Sequence, residues 1–306
     1  MFPSFDYRQW YQTEVNTLEE VNKLIIEKES SGEMFYRGMA NYDFVCVSTF
    51  YRYFITSRKL SWSEQEVGYN SKVLLPEIDM VEYKALSLHI LDDFYDNLIT
   101  LGSKELPLNS IAYLAQHYGL PTDLIDFSYD PKIPLYFACC EMPDKDFSIY
   151  MFDIYAHVKT MMNIYASGRA GFARNSDGST MTSEELASLA KNICTTIDRD
   201  GLPTVTPVID HDDIKYGQRI LNQKGAFIYH RDSIPMDQLM YTASSETNYQ
   251  GRRVYKINKE LKPKILEMLD QRYGINQSFV YPDSDVDLNL EIIQQAVAKT
   301  KAKFCL

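Results

Sequence analysis

Apolar residues recur along the chain at two spacings, and the spacing predicts the elements. From Glu77 to Asn97, the residues Ile78, Val81, Ala85, Leu88, Leu91 and Tyr95 follow at three- and four-residue steps, which predicts a helix with one buried face. Thr17 and Glu20 make a capping box ahead of Val21, Leu24 and Ile25, predicting a helix to about Ser30. Asn109 is placed to cap a helix carrying Ile111, Leu114 and Ala115, which Gly119 ends and Pro121 keeps from resuming, so that His117 falls in its last turn. Pro134 to Glu141 is apolar on every side, as expected of a short helix buried all round. A helix from about Leu261 to Tyr273, stopped by Gly274, closes the pattern.

Short β-branched and aromatic runs predict strands at Met34 to Tyr36, Ile149 to Ile154, Thr204 to Ile209, Ala226 to Tyr229 and Arg252 to Ile257. Gly38 is expected to turn the chain sharply after the first of these, leaving Arg37 at a strand end, and Ser48 to cap a helical turn bearing Phe50, Tyr51 and Phe54. Pro121 to Asp126 reads as a turn. Ala156 to Met181 has no periodicity and reads as a long connection before a helix opened by Thr182 and Glu185, so 155–182 is expected to be a long loop or insertion. Strands and helices do not alternate regularly. The expected fold class is therefore α+β, a mixed β-sheet core with surrounding helices, and residues 1–306 read as a single domain.

Composition narrows the function classes. A chain of 306 residues with 45% hydrophobic content can bury a large core, so disorder is not the default. A formal charge of −11 argues against nucleic acid, whose binding needs clustered Lys and Arg. The start, Met1 to Trp10, has no apolar run, and nowhere do eighteen apolar residues follow one another, so neither export nor a membrane is expected. Five cysteines without CxxC spacing fit a reducing cytoplasm.

Four constellations bear on chemistry. Arg37 beside Gly38 puts a permanent cation where backbone can approach a ligand, a combination suited to phosphate or carboxylate; the plainer alternative is a structural ion pair. His117 and Asp126, on either side of the expected turn, could form a carboxylate-oriented imidazole, or each could satisfy local backbone groups. Asp210, His211, Asp212 and Asp213 are consecutive and point in alternate directions, so they read as a solvated loop and not a metal site. Asp283, Asp285 and Asp287 open like a calcium loop, but Leu288 stands where the turn glycine is needed. No phosphate-loop, dinucleotide or nucleophile-elbow motif occurs, and Cys139 and Cys140 read as core.

Several segments together resemble the FRG domain family. They are Tyr36-Arg37-Gly38, Ser48-Thr49-Phe50, LAQHYGLPTDLID from Leu114 to Asp126, and PLYFA from Pro134 to Ala138. RILNQKGAF from Arg219 to Phe227 and the aromatic, Pro, Asp segment at Phe279 to Asp283 are similar to later parts of that family, which extends the resemblance to roughly 20–290. Asp123 stands where the family commonly has Arg, and Phe127 where Trp is frequent; the first departure implies a less positive pocket. A more distant likeness is to ADP-ribosyltransferases, in the order Arg37, Ser48 with Thr49, then Gln223-Lys224-Gly225, with Gly225 where their glutamate would stand.

These resemblances imply a bacterial defence or toxin-type effector directed at NAD or a nucleotide. His117, Asp126 and Gln223 would carry catalysis, while Tyr36, Arg37, Gly38, Ser48, Arg219 and Phe227 would hold the ligand. Arg37 would grip the diphosphate, His117 the ribose or adenine edge, and Tyr36 or Phe227 would stack on a ring. No cofactor is implied, NAD entering as substrate. The competing class is a non-catalytic sensor or protein-interaction module, in which Arg37, Asp126 and Arg219 would form a buried ion-pair network.

Overall fold

Side chains alternate between two faces along each strand, and in this chain both faces are covered. The computed structural model describes residues 12–27, 34–66, 72–153, 208–209, 218–238, 252–282 and 289–306, together with positions 177, 179, 182 and 185. In chain order the elements are β1 (Gln12–Val15), α1 (Leu18–Val21, running into a π-helical turn at Asn22–Ile26), β2 (Met34–Met39), α2 (Thr49–Arg58), β3 (Trp62–Glu66) and β4 (Lys72–Pro76). Then come α3 (Met80–Thr100), α4 (Leu108–His117), β5 (Leu124–Ser128), α5 (Lys132–Cys140), β6 (Phe147–Asp153), β7 (Val208–Ile209), α6 (Gln218–Gln223) and β8 (Gly225–Tyr229). The chain continues through β9 (Arg252–Ile257), α7 (Lys262–Tyr273), α8 (Gln277–Val280) and α9 (Leu290–Phe304).

The main sheet has the order β1-β9-β6-β2-β5-β8-β7, with β3 and β4 a separate antiparallel hairpin. Strand β1 runs parallel to β9 and every other neighbour is antiparallel, so the fold is α+β with a mixed sheet. On one face Tyr36, Ile149, Met151, Tyr255 and Ile257 meet Ile133 and Leu135 of α5 and Ile265 and Leu269 of α7. Further along that face Leu124, Phe227 and Tyr229 meet α3, α4 and α9 through Phe94, Leu114 and Ile293. The intervening residues Phe35, Ile125, Phe127, Phe152, Ala226 and Ile228 form the opposite layer with Cys46 and Met236.

One break in the ladder positions the site. Strand β2 pairs with β6 from Met34 to Met39, and β5 with β8 from Leu124 to Tyr229 opposite, but β2 meets β5 at Tyr36 opposite Ser128 alone. Beyond that pair the two half-sheets separate, leaving Arg37, Gly38 and Asp126 beside a gap where ladder bonds would otherwise run.

Several sequence expectations are corrected. The turn expected at Pro121 to Asp126 ends at Asp123, because Leu124 begins β5; Asp126 is a mid-strand residue. Gly38 makes no turn but lies inside β2, where α5 crosses so closely that a Cβ would collide with the Pro134 carbonyl oxygen and come 3.0 Å from the Ala138 Cβ. Its requirement is close packing of helix on strand. Helix α3 starts at Met80 under an Asp79 cap, not at Glu77, and buries Tyr83, Ser87, Ile90, Leu91, Phe94 and Leu98, while Val81 is 80% exposed. Helix α4 starts at Leu108 behind Pro107, with no side-chain cap. Helix α5 is not buried all round, since Cys140 is exposed and Phe137 half-buried.

The Thr17–Glu20 capping box forms, Ser48 caps α2 by accepting from the Tyr51 amide, and Gly274 takes the left-handed conformation that ends α7. The Thr182–Glu185 pair also closes, the Glu185 carboxylate accepting from the Thr182 amide at 2.7 Å. The expected insertion at 155–182, apart from those isolated positions, the strand before 208, and the acidic runs at Asp210–Asp213 and Asp283–Asp287 lie outside the described residues.

Candidate functional site

Arg37 spans the gap between the half-sheets. Its guanidinium donates to the Asp126 backbone carbonyl at 2.6 Å, taking an acceptor that no β2 amide reaches. The same nitrogen is 3.9 Å from the Asp126 carboxylate, but that side chain is 56% exposed against 14% for Arg37, so water screens the pair and its energetic weight is small. The buried Nε of Arg37 has no hydrogen-bond partner. Arg52 of α2 is close enough for the Arg37 charge to be felt: loss of water around it comes first and the Arg37 guanidinium second in lowering its pKa, with Asp126 pulling the other way. Arg37 is thus the guanidinium in contact with this carboxylate.

The carboxylate itself is aimed by Gln116 in the last turn of α4. The Gln116 amide oxygen accepts from Thr49 Oγ1 at 3.0 Å and Thr122 Oγ1 at 2.5 Å. That choice of oxygen turns Nε2 toward β5, where it donates to the Leu124 carbonyl at 3.2 Å and to both Asp126 carboxylate oxygens at 3.1 and 3.2 Å. Thr49 Oγ1 in turn accepts from the Thr122 amide, tying the α2 start to the loop before β5. Two hydroxyls and one amide therefore hold Asp126 with its carboxylate toward open space.

These groups surround a cavity of about 350 Å³. Strands β2, β5 and β8 floor it and helices α4, α5 and α6 wall it, contributing Tyr36, Arg37, Gly38, Asp126, Ser128 and Phe227 below and Tyr113, Gln116, His117, Phe137, Arg219 and Gln223 at the sides. Tyr36 and Phe227 are only 4% and 6% exposed, and Phe227 packs edge-on against Tyr113 at 5.5 Å, so neither offers a free ring face. Burial raises the Tyr36 pKa, with Asp130 and Tyr255 adding to it. The His117 ring lies 5.4 Å from Tyr113 and 4.9 Å from Tyr118, with the Tyr113 hydroxyl 3.4 Å from Nδ1. Gln223 donates to the Val280 carbonyl at 3.0 Å, which fastens α8 to α6, and Arg219 lies over the Tyr281 ring at 4.6 Å.

Comparison with known proteins bears on this geometry directly, because residues 32–146 match the family model of the FRG domain. The chain carries an FRG domain. The match contains Arg37, Thr49, Gln116, His117, Asp126 and Phe137, and stops short of Arg219, Gln223 and Phe227, which complete the cavity from later sequence. No curated protein and no solved structure matches the chain.

The cavity gathers Tyr36, Arg37, Gly38, His117 and Asp126 from the FRG-matched residues and Arg219, Gln223 and Phe227 from later sequence, all of them in the sequence-derived set. Ser48 is the exception: it is buried, and its hydroxyl is used as the α2 cap. The pairing expected between His117 and Asp126 is not made, since the Asp126 carboxylate is engaged by Gln116 and Arg37. Gln116 was missed although it precedes His117 in the same segment, because a glutamine has no charge to advertise its role. Among the described residues no three metal-ligating side chains come together.

The departure at Asp123 does not touch the cavity. Asp123 is fully buried behind it, accepting from Tyr83 at 2.7 Å, from the Ser87 hydroxyl and from Arg231 Nε at 3.2 Å. Burial raises its pKa, and Arg231 and the hydroxyls work against that rise. Its effect on ligand charge, expected from the sequence, is therefore withdrawn. Cys139 is buried and its thiol pKa is pushed up by burial, which removes it as a nucleophile.

Proposed function

We propose that this cavity binds a nucleotide and that the protein acts on NAD or a close relative as an ADP-ribosyltransferase or NAD glycohydrolase. The observation that carries the reading is convergence: Arg37, His117, Asp126 and Arg219 come from separate stretches of chain to one open cavity, where Arg37 lies 3.9 Å from the Asp126 carboxylate. The diphosphate sits against Arg37, whose Nε lacks a partner, and the ribose lies toward His117 and Asp126. Gly225 offers no carboxylate, so Asp126 supplies it. As the bond from C1′ to the nicotinamide nitrogen breaks, its electron pair leaves with nicotinamide, and the Asp126 carboxylate stabilises the oxocarbenium-like carbon. Water or an acceptor hydroxyl then attacks C1′, forming the new C–O bond, and passes its proton to the Asp126 carboxylate.

Such chemistry suits a toxin-type effector in bacterial defence, acting in the cytoplasm. Among the described residues no helix is long and apolar enough to cross a membrane. Purified protein is expected to release nicotinamide from NAD, and Asp126→Asn to slow release by about 10²-fold or more, on the scale of losing one transition-state electrostatic contact. Wild-type protein that neither binds nor consumes NAD ends this reading.

One observation favours the non-catalytic class instead. The shortest contact of Arg37 is to a backbone carbonyl across the split sheet, which is a brace. Of the Arg37–Asp126–Arg219 network expected for that class, the Arg37–Asp126 pair is present at 3.9 Å, with the Asp126 side chain more than half exposed, and the Arg219 guanidinium lies over the Tyr281 ring.

A further inference from the structure

The floor of the cavity explains where a diphosphate would lie but leaves a planar ring without a seat, since Tyr36 and Phe227 are buried and Phe227 packs edge-on against Tyr113. Aromatic surface lies directly behind two of the lining residues. Tyr281 is 43% exposed, the Arg219 guanidinium lies 4.6 Å from its ring, and the half-buried Phe137 meets it edge-on at 6.1 Å and 79°. Arg219 and Phe137 both line the cavity, so Tyr281 joins two of its walls from behind.

This arrangement is held in place. Asn222 donates to the Phe279 carbonyl at 2.8 Å and Gln223 to the Val280 carbonyl at 3.0 Å, so the α6 amides fasten the segment that carries Tyr281 to the helix that carries Arg219. A large exposed ring costs free energy in water, and here two side-chain amides and a guanidinium fix it beside an open cavity. A guanidinium stacked on tyrosine is a rigid planar surface, and planar heteroaromatic rings stack on such surfaces with little regard to their substituents.

We infer that Arg219, Tyr281 and Phe137 form a ring subsite that takes the purine or pyridine ring of the ligand, with Tyr281 acting as the positioning residue for Arg219. This rests on the nucleotide reading above and adds to it a seat that draws Phe137 from the family-matched residues 32–146 and Arg219 and Tyr281 from beyond them. The subsite is selective for ligands that carry an aromatic ring, whereas Arg37 serves any diphosphate.

The test compares AMP, ADP-ribose and inorganic pyrophosphate as probes, titrated calorimetrically into wild type, Tyr281→Ser and Tyr281→Phe. Tyr281→Ser should weaken AMP and ADP-ribose about tenfold, because the Arg219 plane on which their ring stacks loses its support, and leave pyrophosphate within about twofold. Tyr281→Phe should restore the ring-bearing ligands. Equal losses for all three probes, or no loss for AMP, would overturn the subsite while leaving the nucleotide reading intact. Absence of binding by every probe to wild type would overturn both.

Discussion

Gly38 and Arg37 are adjacent yet answer to different demands, and each demand is set by what lies across the chain from them. At Gly38 the Pro134 carbonyl occupies the space of a side chain. Gly38→Ala must push α5 away from β2, an overpacking cost of about 3 kcal/mol, visible as a fall in Tm on the order of 5–10 °C. A change under about 1 °C would show that the crossing is not tight. Gly38 was legible as a special position, but not as a packing site, because no sequence pattern reports which helix will cross a strand. Arg37 was legible as a cation beside the site. Its hydrogen bond to the Asp126 carbonyl was not, since it follows from a missing ladder, and Gln116 was invisible because its function lies wholly in whom it bonds.

At the scale of elements, helices and strands were most legible where apolar pattern alone decides them. Strand β9 and the ends of α7 fall close to their expected places because Gly274 and the alternation around Val254 and Tyr255 are local signals. Helix α3 was recognised with its face misassigned. The chain turns Ser87 inward to bond Asp123, and a pattern that counts apolar residues cannot anticipate a serine serving a buried carboxylate. Strand β5 was hidden by its own contents, since Asp126 interrupts an otherwise apolar run and belongs to the site. Lys262 shows a related device: it is buried at the start of α7 and donates to the carbonyls of Ala40, Glu141 and Met142 at 2.8, 2.8 and 2.7 Å, closing the C-terminal end of α5 with a cation. Burial lowers its pKa, while Cys139 and nearby carboxylates support the charge.

The whole molecule carries a titration that its buried polar layer imposes. His230 is fully buried at the end of β8, both ring nitrogens lack a hydrogen-bond partner, and burial pulls its pKa down to about 4, with Asp232 opposing. Between the unfolded value of about 6.5 and the folded one, the unfolded chain binds the extra proton, so stability is complete above that window and falls as pH drops through it. The loss attributable to His230 is about 3 kcal/mol. Denaturant titrations of wild type and His230→Leu at pH 7 and pH 4.5 should therefore converge toward acid, the variant losing less; parallel curves would remove His230 from the account.

The same scale holds the central question, whether the gap between half-sheets is a ligand site or a braced seam. ADP-ribose titrated into wild type and Arg37→Ala, with Tm recorded for both, separates the two. The account predicts that wild type binds, that Arg37→Ala loses at least about tenfold in affinity through a charge-assisted contact, and that its Tm falls by no more than about 5 °C, the effect of the lost bond to the Asp126 carbonyl, since the ion pair with the 56%-exposed Asp126 side chain is screened by water. No binding by wild type, together with a large fall in Tm for Arg37→Ala, would contradict it.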